Sequence, residues 1–244
     1  MSAPSRQEER SDAFLLRAID YRDADKIVTL LTEEHGKVGA LARGARRSRK
    51  RFGGGLEPCH RLAVSFTFGR GELATLKEAR VREAYPGLLT SLGRIQAAGR
   101  GLELVRRLCP EREPMPRLFE AVARYHAALA ASENPDDVAL AFRARALALV
   151  GLAPGLDACG VSGAPCPPGQ AALFDPERGT IVARAHGGGP LLVSGPTRAL
   201  LKQAMGEGWT ELEGWDDRAR KQADDLLLAL LRAHVGEPRA RRER

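Results

Sequence analysis

The spacing of apolar residues changes near residue 85, and this change constrains the fold more than any other feature of the sequence. Before it, apolar runs are short and are separated by turn residues. The run LAVSFTF (62–68) alternates strictly, so that one face carries Leu62, Val64, Phe66 and Phe68. A period of two is typical of β-strands with one buried face. From residue 86 onwards the spacing becomes three, four and seven, which predicts amphipathic α-helices.

Five apolar runs in the first part of the chain have the length of β-strands. They are residues 13–19, 26–32, 38–43, 62–68 and 73–79. Turn sequences such as EEHGK and GRGE separate them, so we predict antiparallel pairing. Five strands in about 70 residues match a small closed barrel of the OB type. A meander with an open edge fits the same pattern.

The remainder is predicted to be mainly helical, with three helices between residues 86 and 150 and two between 194 and 236. Residues 151–169 hold nine Gly or Pro, so regular structure should stop there, and ALFDPERGTIVAR (172–184) predicts a small hairpin. The predicted fold class is therefore α+β. We expect a disordered lead (1–12), a barrel domain (13–82), a helical domain (83–236) with an irregular, partly β insertion (152–193), and a basic tail (237–244).

The composition narrows the choice of partners and compartment. The formal net charge is +7, which favours polyanions, and 43% hydrophobic residues are enough for a folded core. No apolar stretch is long enough for a transmembrane helix, and the polar N-terminus does not resemble a signal peptide. Four cysteines without a secretion signal indicate reduced thiols and a cytoplasmic location.

The stretch LARGARRSRKRF (41–52) concentrates the positive charge. Six of the nine residues from Arg43 to Arg51 are Lys or Arg, and none is acidic. Such runs are often only solvated. This one lies between two predicted strands beside several glycines, so we predict a mobile cationic loop that binds nucleic acid through its phosphates. The candidate contact residues are Arg43, Arg46, Arg47, Arg49, Lys50 and Arg51, with Phe52 as the one base-stacking aromatic.

Signals of catalysis or of a metal are weak. The five histidines are scattered, and the sequence has no nucleophile elbow, phosphate-binding loop, HExxH or dinucleotide fingerprint, so we expect a protein that is not an enzyme. Structural zinc commonly takes four ligands in two close pairs. Cys159, Cys166 and His186 are only residual candidates at irregular spacing, so no cofactor is expected.

The stretch from Tyr21 to Pro58, followed by GRGELATLKEA, resembles the N-terminal domain of RecO, a family of bacterial recombination mediators. LALVGLAPGLDACGVSG (147–163) resembles a later segment of the same family. The resemblance implies an OB-fold domain, a helical domain and a small zinc-ribbon-like insertion. It also implies a nucleoid-associated protein that binds single- and double-stranded DNA and anneals complementary strands. With RecR as partner, such a protein helps to load the RecA recombinase onto strands coated by single-stranded-DNA-binding protein.

The resemblance also bears on zinc, because zinc-bearing members of the family carry two CxxC pairs. The matching positions here are Cys159, Ser162, Ala183 and His186. Two of the four are poor or impossible ligands, so the insertion is expected to be a degenerate zinc ribbon, shaped by Gly, Pro and apolar packing.

A mediator of this kind is expected to bind the acidic C-terminal tail of single-stranded-DNA-binding protein, which ends in an apolar residue. The receptor expected for such a tail is an apolar notch with arginines beside it. The helical domain offers two such pairings, namely Arg143 and Arg145 beside Phe142, and Arg106 and Arg107 beside Val105. All four arginines are equally compatible with ordinary exposed helix positions.

Two other functions fit the same residues. An OB-fold protein that binds RNA would prefer RNA over single-stranded DNA of equal length. A protein-interaction adaptor with an incidental basic loop would not bind nucleic acid near physiological salt.

Overall fold

The computed structural model describes residues 7–53, 56–212 and 214–236. The chain forms two compact units that divide between Pro135 and Asp136. The strands are β1 (Glu8–Tyr21), β2 (Asp25–Thr32), β3 (Gly36–Ala42), β4 (His60–Thr67), β5 (Ala74–Ala84), β6 (Ala172–Asp175), β7 (Thr180–Val182) and β8 (Leu191–Val193). The α-helices are α1 (Arg49–Phe52), α2 (Leu92–Leu108), α3 (Pro116–Ala131), α4 (Pro135–Leu149), α5 (Gly195–Met205) and α6 (Asp217–Val235). Short 3₁₀ turns cover Pro86–Thr90, Arg184–His186 and Trp209–Glu211.

The first five strands form a closed barrel in the order β1-β2-β3-β5-β4, and β4 returns to pair with β1. All pairs are antiparallel except β3 with β5. The five predicted strands are thus confirmed. Because each strand pairs with two others, the sheet closes, and the alternative of a meander with an open edge is excluded.

The disordered lead is wrong from Glu8 onwards, because β1 begins there and pairs with β4 from Glu8–Thr67 to Asp12–Ala63. The sequence EERSD is polar and has no apolar alternation, so its strand was not predicted. Backbone pairing with β4 stabilises it. Ser11 adds to it, since its hydroxyl accepts a hydrogen bond from the N–H of Glu33 at 3.2 Å. Residues 1–6 and the predicted basic tail, 237–244, lie outside the described residues.

The first strand is buried on both of its faces along the run Ala13–Leu16. Ala13 and Leu15 belong to the barrel interior, together with Val28, Leu30, Val38, Leu62, Val64, Phe66 and Leu76. Phe14 points outwards, where its ring packs on Phe119 of α3 at 5.1 Å between centroids. Burial on both faces explains why this stretch reads as a continuous apolar run rather than an alternating one.

Helices α2 and α3 pack on each other and on the barrel. Ser91 caps α2, since its Oγ accepts the N–H of Arg94 at 3.2 Å. The Tyr125 hydroxyl donates to the carbonyl of Ala97 at 2.6 Å. A Cβ on Gly101 would lie 2.2 Å from the Tyr125 ring, so glycine permits this close approach. The Lys37 ammonium donates to the carbonyl of Arg106 at 3.1 Å and ties β3 to α2.

In the second unit, three short antiparallel strands lie beside three helices. The sheet order is β7-β6-β8. The hairpin predicted at 172–184 is confirmed as β6 and β7. Strand β8 was not predicted, because three residues are too few to show an alternation of apolar and polar side chains. An ion pair between Arg220 and Asp137 at 2.6 Å joins α6 to α4. Among the described helices of both units, none is long and apolar enough to cross a membrane.

Candidate nucleic-acid interface

The basic loop, residues 43–52, joins β3 to the segment that leads into β4, as the sequence predicted. It is more ordered than the sequence suggested. The N–H of Gly44 (φ +65°) donates to Asp25 Oδ1 at 2.8 Å, and the N–H of Arg46 donates to the carbonyl of Ala24 at 3.0 Å. The turn between β1 and β2 therefore holds the start of the loop, and α1 forms its end.

Phe52 does not face solvent, so its predicted role as a base-stacking residue is wrong. Its side chain is only 4% exposed and packs with Leu56 against the barrel interior. The guanidinium of Arg51 covers the ring at 5.0 Å from the centroid. One turn of helix is amphipathic enough to direct Phe52 inwards while its charged neighbours stay in water, and this anchors the loop.

The exposed cations of the loop divide into two groups. Arg46 and Arg51 help to hold the loop, since Arg46 donates to the carbonyl of Asp23 at 3.3 Å and Arg51 to that of Arg43 at 2.8 Å. The side chains of Arg43, Arg47 and Lys50 are exposed and form no ion pair with any carboxylate in the described part of the chain. The side chain of Arg49 lies outside that part. Arg43, Arg47 and Lys50 are thus the cations most available to a phosphate backbone.

The predicted apolar notch does not form at either place, because Val105 and Phe142 are both buried. Phe142 packs on Trp209 with ring centroids 5.7 Å apart. The arginines beside them have partners within the fold. Arg106 binds Glu103 through two hydrogen bonds, Arg143 pairs with Asp224, and Arg145 is buried where it bonds the carbonyl of Met205 and the carboxylate of Glu207. Arg107, on α2, also has partners.

The segment that matches the zinc ribbon does not fit a structural zinc site. Cys159 Sγ accepts the N–H of Ala183 at 3.3 Å, so the first and third positions contact each other through a backbone group. His186 is exposed in a 3₁₀ turn. In the described ranges, no three His, Cys, Asp or Glu side chains, Cys166 included, come together as metal ligands. One thiol, a hydroxyl, a methyl group and an imidazole make a poor donor set for zinc.

A buried arginine holds this segment instead. Arg198 of α5 is 4% exposed, and its guanidinium donates to four backbone carbonyls. These are Leu156 (3.0 and 2.5 Å), Cys166 (3.1 Å), Pro167 (3.1 Å) and Gln170 (2.7 Å). A planar fork of five N–H groups can bind several carbonyls at once, which an ammonium cannot. We call residues 156–170, together with Arg198, the arginine clamp.

The cysteines differ in chemistry. Hydrogen bonds to Cys159, above all from the N–H of Ala183 and then from Ser162, lower its pKa to about 6. Its side chain lines a cavity of about 440 Å³ together with Cys166. Burial raises the pKa of Cys109 to about 11 and also raises that of Cys59. The fold alone brings these hydrogen-bond donors to Cys159, so the sequence did not predict that its pKa is low.

Two models of one protein family match the chain. Residues 6–85 match the N-terminal model of recombination protein O, and residues 89–243 match its C-terminal model. The chain therefore belongs to the recombination protein O family, whose members act in DNA repair and recombination.

Individual relatives in this family are similar to the chain over most of its length. It is 39% identical over 233 residues to DNA repair protein RecO of Anaeromyxobacter sp. strain K, covering 93% of this chain and 92% of that protein. RecO of Geobacter sulfurreducens is 37% identical over 232 residues, 94% of this chain and 93% of the relative. RecO of Myxococcus xanthus is 35% identical over 232 residues, 92% and 91% respectively. The resemblance seen in the sequence is confirmed, and with it a role in DNA repair and recombination.

Proposed function

We propose that this chain is a DNA-binding recombination mediator with no catalytic turnover. It binds single- and double-stranded DNA without sequence preference, anneals complementary strands, and acts with RecR to load RecA onto strands coated by single-stranded-DNA-binding protein. It works in the cytoplasm, in association with the nucleoid. The observation that supports this most is the basic loop, which holds Arg43, Arg47 and Lys50 exposed and without described carboxylate partners on a fixed backbone.

The barrel supports the proposal, because its closed five-stranded arrangement suits an OB fold. OB folds bind oligonucleotides on the face of strands 2 and 3 and through the loops that flank it, including the β1–β2 loop. The basic loop leaves the end of β3 and bonds to the β1–β2 turn, so it borders that face.

Charge neutralisation is the proposed mechanism. Each Lys or Arg that neutralises a phosphate releases a condensed counterion, which makes binding tight at low salt and sequence-tolerant. Two complementary strands repel each other through their phosphates. A protein that covers these charges lets the strands approach, and base pairing then replaces the protein contacts.

The first test measures DNA affinity across a salt series. The variant R43A/R47A/K50A removes three charges that no described ion pair uses. We expect weaker binding of single-stranded DNA and a slope of log K against log salt that is flatter by about 2, since each contact contributes about 0.7. The matched control, R184A/R218A/R232A, removes three exposed charges from the second unit. Equal slopes for the wild type and R43A/R47A/K50A would refute the loop as the DNA contact.

The second test measures annealing of complementary oligonucleotides that are precoated with single-stranded-DNA-binding protein. The wild type should accelerate annealing, the acceleration should fade with salt, and R43A/R47A/K50A should lose it. DNA binding without acceleration would leave a plain DNA-binding module. A strong preference for RNA in competition with single-stranded DNA of equal length would favour the RNA-binding alternative instead.

A further inference from the structure

We infer that the outer face of the barrel beside the basic loop is a base-stacking platform for single-stranded DNA, with Tyr21 as its aromatic residue. The inference rests on the proposed DNA-binding function and adds to it the form of nucleic acid that binds best. It names the ring that Phe52, buried in the barrel, does not supply.

The bulge in β1 places Tyr21 on the outer face. The register shifts between Leu15 and Arg17, so the residues beyond the bulge change sides. Ala18 packs towards the barrel interior, whereas Ile19 and Tyr21 face outwards and are 42% and 37% exposed. Both are large apolar groups that the barrel leaves in contact with water.

An apolar row extends from Ile19 across two further strands. Ile19 pairs with Ile27 of β2, and Ile27 pairs with Leu41 of β3, so the three side chains share one face of adjacent strands. Further along the same face, Phe14 and Leu31 form the equivalent pair and are buried. The face is thus covered at one end, where Phe119 packs on Phe14, and open at the Ile19 end.

The basic loop borders the open end of this row. Leu41 lies two residues before Arg43, and the turn after Tyr21 accepts the hydrogen bonds from Arg46.

The Arg22 guanidinium lies over the Tyr21 ring at 5.1 Å from its centroid, which presents a ring and a charge together. Three carboxylates lie near Tyr21. Asp20 pairs with Lys26 at 3.2 Å and Asp25 accepts the N–H of Gly44, whereas Asp23 is exposed.

This combination of an exposed ring, an apolar floor and a border of cations suits single-stranded DNA. A single strand offers unstacked bases to the ring and phosphates to the loop, whereas a duplex keeps its bases stacked inside. Stacking on a protein aromatic is sequence-tolerant because every base has a π-face. Tyr21 should therefore favour single strands without reading their sequence.

The test compares an oligo-dT with an abasic oligonucleotide of equal length, which carries the same phosphates and no bases. Y21L removes the ring and keeps apolar bulk, while Y21F keeps the ring. We expect Y21L to bind oligo-dT about fivefold or more weakly, the low end of measured stacking losses, with an unchanged salt slope and unchanged binding of the abasic strand. Y21F should match the wild type on both.

A second variant gives a direct readout. Trp209 and Trp215 are buried in the second unit, so Y21W adds an exposed tryptophan whose fluorescence reports on this site. Oligo-dT should quench it and the abasic strand should not.

The possible failures differ. If wild-type protein binds both oligonucleotides equally and Y21W is not quenched, the platform is refuted and phosphate binding by the loop stands. Equal losses on both oligonucleotides in Y21L would show that Tyr21 only supports the loop. Failure of the wild type to bind either strand in low salt would overturn the proposed function, and the platform with it.

Discussion

Removing the guanidinium of the arginine clamp should destabilise the second unit strongly. In R198M the side chain keeps a similar apolar stem and loses all N–H donors. Four carbonyls of residues 156–170 then lose their donor in a site where Arg198 is almost fully buried.

The magnitude follows from the contacts. A hydrogen bond to a charged group contributes about 1.5–3 kcal/mol, and an unsatisfied buried acceptor costs about 1–3 kcal/mol. The contacts are not additive, because burying the guanidinium itself is unfavourable and the Gly- and Pro-rich segment can relax towards water. The expected loss in the free energy of unfolding is about 3–5 kcal/mol, at the high end of single-substitution effects, where the breaking of buried hydrogen-bond networks lies.

Urea unfolding measures this loss, and hydrogen exchange at residues 156–170 localises it. R198K keeps the charge but replaces the fork with one ammonium group, so it should retain only a minor part of the stability. K202M is the matched control one turn further along α5, where Lys202 pairs with Asp157 at 2.6 Å near the surface. It should lose about 1 kcal/mol or less.

Two results would refute this account of the clamp. One is an R198M protein that unfolds within about 1 kcal/mol of the wild type, less than a single charged hydrogen bond contributes. The other is loss of stability in wild-type protein treated with a zinc chelator, since the clamp requires no metal.

Three further predictions concern single side chains. Burial lowers the pKa of His126 to about 4, against about 6.5 in unfolded chains. The free energy of unfolding should therefore fall as pH drops from about 6.5 to 4. In urea titrations, H126N should show a weaker dependence on pH over this range. Cys159 is only 5% exposed but lines a cavity that a small reagent can enter, so its alkylation by iodoacetamide should rise through pH 6. Cys109, which is buried and has a pKa of about 11, should stay unmodified at pH 8, and peptide mass spectrometry separates the two. F52A should lower the free energy of unfolding by about 3–5 kcal/mol, because it empties a buried site against the barrel interior, and loss of less than 1 kcal/mol would contradict that packing.

The barrel could be predicted from the sequence because alternation, turn residues and β-branched runs agreed with one another. The side of the barrel on which a residue lies was harder to predict. One bulge between Leu15 and Arg17 moves Tyr21 outwards. Four residues of helix move Phe52 inwards, although cations precede it. Neither event has a periodic signature, so Phe52, which was predicted to stack on bases, is buried, and Tyr21, which no pattern singled out, is exposed.

The clamp could not be predicted, for a different reason. Arg198 is 28 to 42 residues away from the carbonyls that it binds. Its own sequence, SGPTRALLKQAM, is that of an ordinary capped helix with an exposed arginine. Main-chain acceptors are identical at every residue, so only the folded path of the chain reveals which ones converge. The position of the basic loop between β3 and β4 did follow from the sequence, since it depends on strand order alone.

The contact between Phe14 and helix α3 has a consequence for how the chain matures. The two family models divide between residues 85 and 89, close to the predicted boundary at 82, whereas the compact unit extends to Pro135. On the ribosome, β1 emerges before α3, so the outer side of Phe14 stays uncovered until Phe119 and His126 have been synthesised. A hybrid of two relatives joined at residue 87 would combine a barrel and an α3 that had never evolved together. A junction at residue 135 would take the barrel and α3 from one parent and keep the packing around Phe14 intact. The boundary between the family models is therefore not the boundary at which an exchange between relatives would disturb this packing least.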